Sequence, residues 1–162
     1  MKTRMKILYI CTHNRCRSIL SEAITNSIAG DLIDARSAGS QPVGMVHPLS
    51  LKYLAQAEYS IQNLQSQSWN DFEDFHPDIV VTVCDSAAGE ACPLYFDNSI
   101  KVHWGLSDPS KVAGKESEIE QAFMACIDQI ADRVKQLKHI AAKSVNTTEL
   151  KSALTSIAGS QE

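Results

Sequence analysis

The chain has 162 residues, 44% of them apolar and 21% charged, a balance that fits one soluble domain with a single core. A net charge of −4 argues against nucleic-acid binding through a basic surface, so any attraction for anions has to be built locally. No stretch approaches the roughly 20 apolar residues of a membrane helix, and the apolar run after Lys6 is too short for a signal-peptide core, so a cytoplasmic, reducing location is expected.

Residues 6–11 are nearly all apolar and predict a strand covered on both faces. The strand ends at Cys11, and the loop Thr12-His13-Asn14-Arg15-Cys16-Arg17-Ser18 leads into a helical pattern over 18–29, with Ile19, Leu20, Ala23, Ile24 and Ile28 on one face and Gly30 at the stop. A cysteine in that position lies where unpaired helix N–H groups and the positive end of the helix dipole converge. The field that holds a dianion also favours thiolate over thiol. Arg17 adds a planar fork of donors suited to a tetrahedral oxyanion. A buried structural cysteine is the plainer alternative for Cys11, and the strand–loop–helix setting of Cys-x5-Arg weighs against it. Ser18 reads as a helix N-cap, as a hydroxyl directed at Cys11, or as both, since Ser21 stands where a capping box needs Glu or Gln. Asn14 suits a left-handed position from which its amide ties the loop down.

Residues 33–38 predict a second strand closed by Gly39, and Gln41-Pro42-Val43-Gly44 is turn chemistry. Pro48 suits the first turn of a helix carrying Leu49, Leu51, Leu54 and Ala55. Residues 60–77 read as short helical turns and loop, with His47 and His76 as loop residues before prolines. Residues 78–84 form the clearest strand, β-branched and apolar, ending at Cys84. Small and acidic residues lead from there to Cys92-Pro93. Residues 100–103 predict a short fourth strand, with Asp108-Pro109 beyond it. A long helix begins near Glu116, with an apolar stripe through Ile119, Phe123, Cys126 or Ile127, Ile130, Val134 and Leu137. Residues 1–143 are read as one domain and 144–162 as a C-terminal tail, peripheral or partly helical.

Alternating strands and helices imply an α/β domain with an open parallel four-stranded sheet and helices on both faces. Ligands of such sheets bind beyond the carboxyl ends of the strands, where Cys11, Cys84 and Asp108 converge. Proline forces Asp108 out of the helical region, which fixes where its carboxyl points; the readings are a general acid or a turn residue. Five cysteines, an odd number in a reducing compartment, do not form a disulfide framework, and neither Cys11/Cys16 nor Cys84/Cys92 has zinc-hook spacing. Cys84 and Cys92, joined by a loop of small residues, read as reactive thiols, whereas Cys16 is a bystander and Cys126 a core residue.

The run from Cys11 to Ser18, together with Ser37-Ala38-Gly39, Val81-Thr82-Val83-Cys84, Cys92-Pro93, His103-Trp104-Gly105 and Asp108-Pro109, resembles the arsenate reductases built on the low-molecular-weight protein tyrosine phosphatase fold, over about residues 5–140. Within them it is similar to the three-cysteine group regenerated by thioredoxin. The resemblance implies strand order 2-1-3-4 and an oxyanion site made by Thr12, His13, Asn14, Arg15, Cys16, Arg17 and Ser18. It implies arsenate as substrate with phosphate or sulfate as competitors, and a relay in which Cys11 attacks, Asp108 acts as acid, and Cys84 and then Cys92 carry the disulfide. Thioredoxin is the implied reductant, with glutaredoxin and glutathione as the alternative, and no cofactor is expected. Gram-positive members bind potassium through Asn, Glu, Ser and Asp side chains. Asn14, Glu22 and Ser37 match the first three, but Gln67 falls at the Asp position, which counts against a potassium ion. Two other readings stay open. A tyrosine phosphatase would need only Cys11, Arg17 and Asp108, although Ser110-Lys111 stand where such enzymes carry aromatic residues. A redox-sensing binding protein would use the disulfide as a switch.

Overall fold

The protein is described here by a computed structural model that covers residues 4–84, 99–143 and 147–159. Four parallel strands, β1 (Met5–Cys11), β2 (Ile33–Gly39), β3 (Ile79–Thr82) and β4 (Ile100–His103), form one sheet in the order β2-β1-β3-β4. Helix α1 (Arg17–Ala29) joins β1 to β2, and α2 (Pro48–Gln56) follows β2. Helix α3 (Glu116–Ala141) comes after β4, and α4 (Thr147–Gly159) follows it. This is the α/β architecture and strand order expected from the sequence.

The central strand explains why the sheet is stable. Ile7, Leu8, Tyr9 and Ile10 are all at most 1% exposed, although alternate residues point to opposite faces, so both faces of β1 are covered. Tyr9 places its hydroxyl 2.8 Å from Thr25 of α1, which identifies the face that α1 covers. The stripe read along the long helix is buried at Phe123, Ile127, Ile130, Val134 and Leu137. Phe123 packs at 5.1 Å between ring centroids on Tyr53, locking α3 to α2. Each such side chain contributes roughly 1.5–3 kcal/mol through the apolar area it removes from water.

Three details differ from the sequence expectation. The third strand is shorter than residues 78–84, spanning Ile79–Thr82, although Asp78 N and Val83 N still donate to Lys6 O (2.8 Å) and Ile10 O (2.9 Å) of β1. His47 is not simply a loop residue: it is the N-cap of α2, its ring Nδ1 accepting from Leu49 N at 3.1 Å. The tail is helical, as one of its two readings has it, forming α4, but it is not peripheral: its Leu154 and Ile157 are buried in the main core. Among the described residues, no helix is long and apolar enough to cross a membrane.

Candidate active site

Cys11 closes β1 and α1 begins six residues later, so the intervening loop is forced to curl over the sheet's carboxyl end. Its shape is set from outside. The carbonyls of Thr12, His13, Arg15 and Cys16 accept from the N–H groups of Gln41, Val43, His47 and Leu20, at 2.8, 3.2, 2.9 and 2.8 Å. With these carbonyls drawn outward, the loop's N–H groups are left to its concave side. The N-cap of α1, Cys16, makes no side-chain capping bond, and the first turn of the helix carries no acidic residue. The helix end is therefore left open to an external anion, and its dipole is not offset by the chain's own carboxylates.

Asn14 holds the loop from within. It is fully buried, with a left-handed φ of 48°; its Nδ2 donates to Ser18 Oγ (2.8 Å) and its Oδ1 accepts from Gln67 N (2.7 Å). Ser18 Oγ in turn lies 2.9 Å from Cys11 Sγ. Because Asn14 already donates to that hydroxyl oxygen, the single Ser18 proton is free to point at the sulfur, a bond that stabilises the thiolate. Of the readings of Ser18, the structure selects the hydroxyl directed at Cys11, not the cap.

Gly39, the strand partner of Cys11, is required by close approach. A Cβ there would lie 2.5 Å from Thr12 O, 2.9 Å from Cys11 O and 3.0 Å from Asn14 N, all backbone atoms that cannot swing aside. Gly39→Ala is expected to cost about 1–3 kcal/mol of stability, the range of overpacking, and to weaken sulfate binding more than tenfold. Urea melts and calorimetric titration check both; full binding with unchanged stability would contradict this account of the loop.

Inside the loop is a cavity of about 290 Å³ with Cys11, Cys84, Arg17 and Asp108 in its wall. Thr12, His13, Arg15 and Cys16 also line it, whereas Asn14 and Ser18 lie behind the wall and act on loop shape and on Cys11. Cys84 is 3% exposed, and its Sγ lies 3.7 Å from Thr12 Oγ1. Residues 73 positions apart thus present two thiols to one small chamber. Cys92 lies outside the described residues. Burial pushes the Cys16 thiol up to about 12 and the Cys126 thiol likewise, so neither ionises near neutral pH.

Asp108 is both a turn residue and a cavity residue. Its Oδ1 accepts from Ser110 N (2.9 Å) and Ser110 Oγ (2.5 Å), capping a short 3-10 turn over Pro109–Lys111, while Oδ2 lies 3.5 Å from Arg17 Nη2. Burial pushes this carboxyl upward, but the two Ser110 bonds and the charges of Arg17 and Lys111 outweigh it, and the group is held below the ordinary carboxylate range. Arg17 also donates from Nη1 to Leu106 O (3.0 Å), which aims its fork into the chamber. Lys111 in the cavity wall was not picked out by sequence reasoning. The only signal was a basic residue three positions past Asp108. With Arg15 and Arg17 it supplies the local positive field that the acidic net charge does not.

The third candidate group lies off the chamber. Ser37 Oγ donates to Glu22 Oε1 at 2.5 Å, and burial drives the Glu22 carboxyl up to about 7, against the lowering effects of Ser37 and Arg36. A folded-state value above the unfolded one, 4.5, means that the folded chain binds this proton more tightly. The resulting stability is complete below about pH 4.5 and is lost as pH rises through about 7, amounting to about 3 kcal/mol across the window. Melting midpoints should therefore fall from pH 5 to pH 8 in the wild type. Glu22→Gln should flatten that slope; an unchanged slope would show that Glu22 does not titrate there.

Comparison with known proteins agrees with this geometry. Residues 6–151 match the low molecular weight phosphotyrosine protein phosphatase family. The chain belongs to that family. An arsenate reductase of Halalkalibacterium halodurans is 34% identical over 80% of this chain and 91% of its own length. A solved thioredoxin-dependent arsenate reductase of Corynebacterium glutamicum superposes with a TM-score of 0.67 at 26% identity, covering 87% of this chain; this chain spans 63% of that one. An arsenate reductase from Archaeoglobus fulgidus superposes with a TM-score of 0.64 at 27% identity, over 82% of this chain and 98% of its own. These three relatives are arsenate reductases.

Proposed function

We propose that this family member reduces arsenate to arsenite by passing two electrons through Cys11, Cys84 and Cys92. The observation that carries the reading is the pair of thiols, Cys11 and Cys84, in the wall of one cavity with Arg17 and Asp108. A phosphotyrosine phosphatase, the other reading of the fold, has no use for Cys84 there. In the present chain Ser110 engages Asp108 and Lys111 lines the chamber, so the position of an aromatic wall is taken by polar groups.

Arsenate enters between the loop N–H groups and the Arg17 fork. Cys11 thiolate attacks arsenic, Asp108 delivers a proton to the departing oxygen, and water leaves a Cys11–S–As(V) adduct. Cys84 thiolate then attacks Cys11 sulfur. The S–As bond breaks with its electron pair remaining on arsenic, so arsenic is reduced to As(III) and a Cys11–Cys84 disulfide forms. Cys92 thiolate attacks Cys84 sulfur next and returns Cys11 as thiolate, leaving a Cys84–Cys92 disulfide. An external dithiol of the thioredoxin type closes the cycle by taking that bond. Phosphate and sulfate fit the same cradle as competitors. The relay requires no resident cofactor.

A structural potassium is disfavoured by charge: Gln67 stands where the potassium-binding members carry Asp, and the Glu22 carboxyl favours its neutral form below about pH 7. Melts in KCl and in NaCl are therefore expected to coincide.

The deciding assay is arsenate-dependent NADPH oxidation with thioredoxin and its reductase, run beside glutaredoxin with glutathione. Multiple turnovers with thioredoxin support the reading. Turnover with glutaredoxin alone changes the electron donor, and a single oxidation without arsenite release leaves a redox switch in place of an enzyme.

A further inference from the structure

We infer that Arg133, outside the chamber, is a positioning residue that places the Asp108 carboxyl by holding the backbone of residues 104–106. The inference rests on the role of Asp108 proposed above. Arg133 lies on α3 and is only 5% exposed. Among the described residues it has no carboxylate in ion-pair range, and its guanidinium donates solely to main-chain carbonyls: Nη1 to Trp104 O (3.1 Å), and Nη1 and Nη2 to Gly105 O (3.3 Å each). Its Nε is buried with no hydrogen-bond partner. Taking a cation out of water against neutral acceptors is costly, and a methionine of similar length would fill the space without that cost. Packing does not account for a guanidinium at this position. The carbonyls that it holds do.

Those carbonyls are the start of a clamp. The next one in the chain, Leu106 O, accepts from Arg17 Nη1 at 3.0 Å, so three consecutive carbonyls are shared between a guanidinium in the chamber wall and one on α3. The N–H groups of the same segment are tied to β3, Trp104 N to Thr82 O (2.8 Å) and Leu106 N to Val83 O (3.0 Å). The Trp104 indole Nε1 donates to Leu154 O of α4 at 2.9 Å. Asp108 follows two residues past Leu106, its carboxylate 3.5 Å from Arg17. Removing Arg133 takes the guanidinium from the buried Trp104 carbonyl and from the partly buried Gly105 carbonyl. Their peptide planes then turn to find other donors, and the chain two residues beyond Leu106 carries the Asp108 carboxylate out of place.

The test is a double-mutant cycle on the full chain, reading adduct formation at Cys11 in a single turnover and steady-state kinetics with arsenate. Arg133→Met is expected to lower kcat about 10- to 100-fold, the scale of a misplaced catalytic group, with KM for arsenate within about twofold of the wild type. In an Asp108→Asn background it should cost nothing further, because its effect passes through that carboxyl. Arg133→Lys keeps the charge and reaches one carbonyl, and should recover part of the rate. Equal losses with and without Asp108, or a change confined to KM, would overturn the inference. So would failure of both Arg133 variants to fold, since the guanidinium would then serve the fold and not the carboxyl. The cycle is repeated with phenyl phosphate, whose poor leaving group makes the same demand on Asp108. A wild type inert toward arsenate would thus remove the reductase reading while leaving this one to be judged.

Discussion

Cys11→Ser loses arsenate turnover altogether, falling below about one part in 10⁴ of the wild-type rate, because no other group in the chamber substitutes for the nucleophile. The two remaining relay thiols fail later and in distinguishable ways. Cys84→Ser should accumulate the Cys11 adduct and release no arsenite, since nothing attacks Cys11 sulfur. Cys92→Ser should release one equivalent of arsenite per chain and stop with Cys11 and Cys84 bonded. Intact-protein mass spectrometry and a quench assay for arsenite separate the three stalls. Cys126→Ser should cycle normally: its thiol lies in the core and is driven by burial far from ionisation at neutral pH. A Cys92→Ser variant that keeps cycling at full rate with thioredoxin would end the three-thiol scheme and leave a two-thiol exchange.

The second large effect falls on Asp108. In the resting chamber its carboxyl is held below the usual range by Ser110, Arg17 and Lys111, so at neutral pH it is ionised and has no proton to give. A dianion in the cradle reverses those terms. It engages Arg17, 3.5 Å from the carboxylate, and sets negative charge beside it, both of which favour the protonated form. Oxyanion binding should therefore be accompanied by proton uptake at Asp108 and weaken as pH rises. Calorimetry with sulfate in two buffers of different ionisation enthalpy reads the uptake directly. Asp108→Asn should abolish it and slow adduct formation about 10²- to 10³-fold with little change in KM, the usual contribution of a positioned acid. Proton uptake that persists in that variant would transfer the role to another group.

The parts of the site legible in the sequence are those carried by contiguous chain. Cys11, the loop and Arg17 stand within one strand–loop–helix unit, so residue types and spacing alone define an anion cradle. Cys84 and Asp108 were legible because parallel strands deliver their ends to a common rim. What escaped depends on directions and on distant partners. The role of Ser18 follows only once Asn14 is seen to occupy its lone pair. Arg133 stands at helical spacing from Cys126, Ile130 and Leu137, on the apolar stripe itself, and its meaning lies in carbonyls of Trp104 and Gly105, which carry no side-chain signal. The tail has a weak apolar pattern in isolation. Its helix is fixed by tertiary burial of Leu154 and Ile157 and by the Trp104 indole, none of which local propensity encodes.

The narrow fit beneath the loop has a use beyond this chain. A thiol and a guanidinium six residues apart recur by chance in many unrelated sequences, and on their own they are a permissive filter. The bare Cα at position 39, opposite the thiol in the neighbouring strand, is a second condition of wholly different origin, imposed by the absence of an atom. Scanning genomes for both together, a hydrogen-only residue closing the next parallel strand some 28 positions downstream, should reject most impostors that the shorter signature admits.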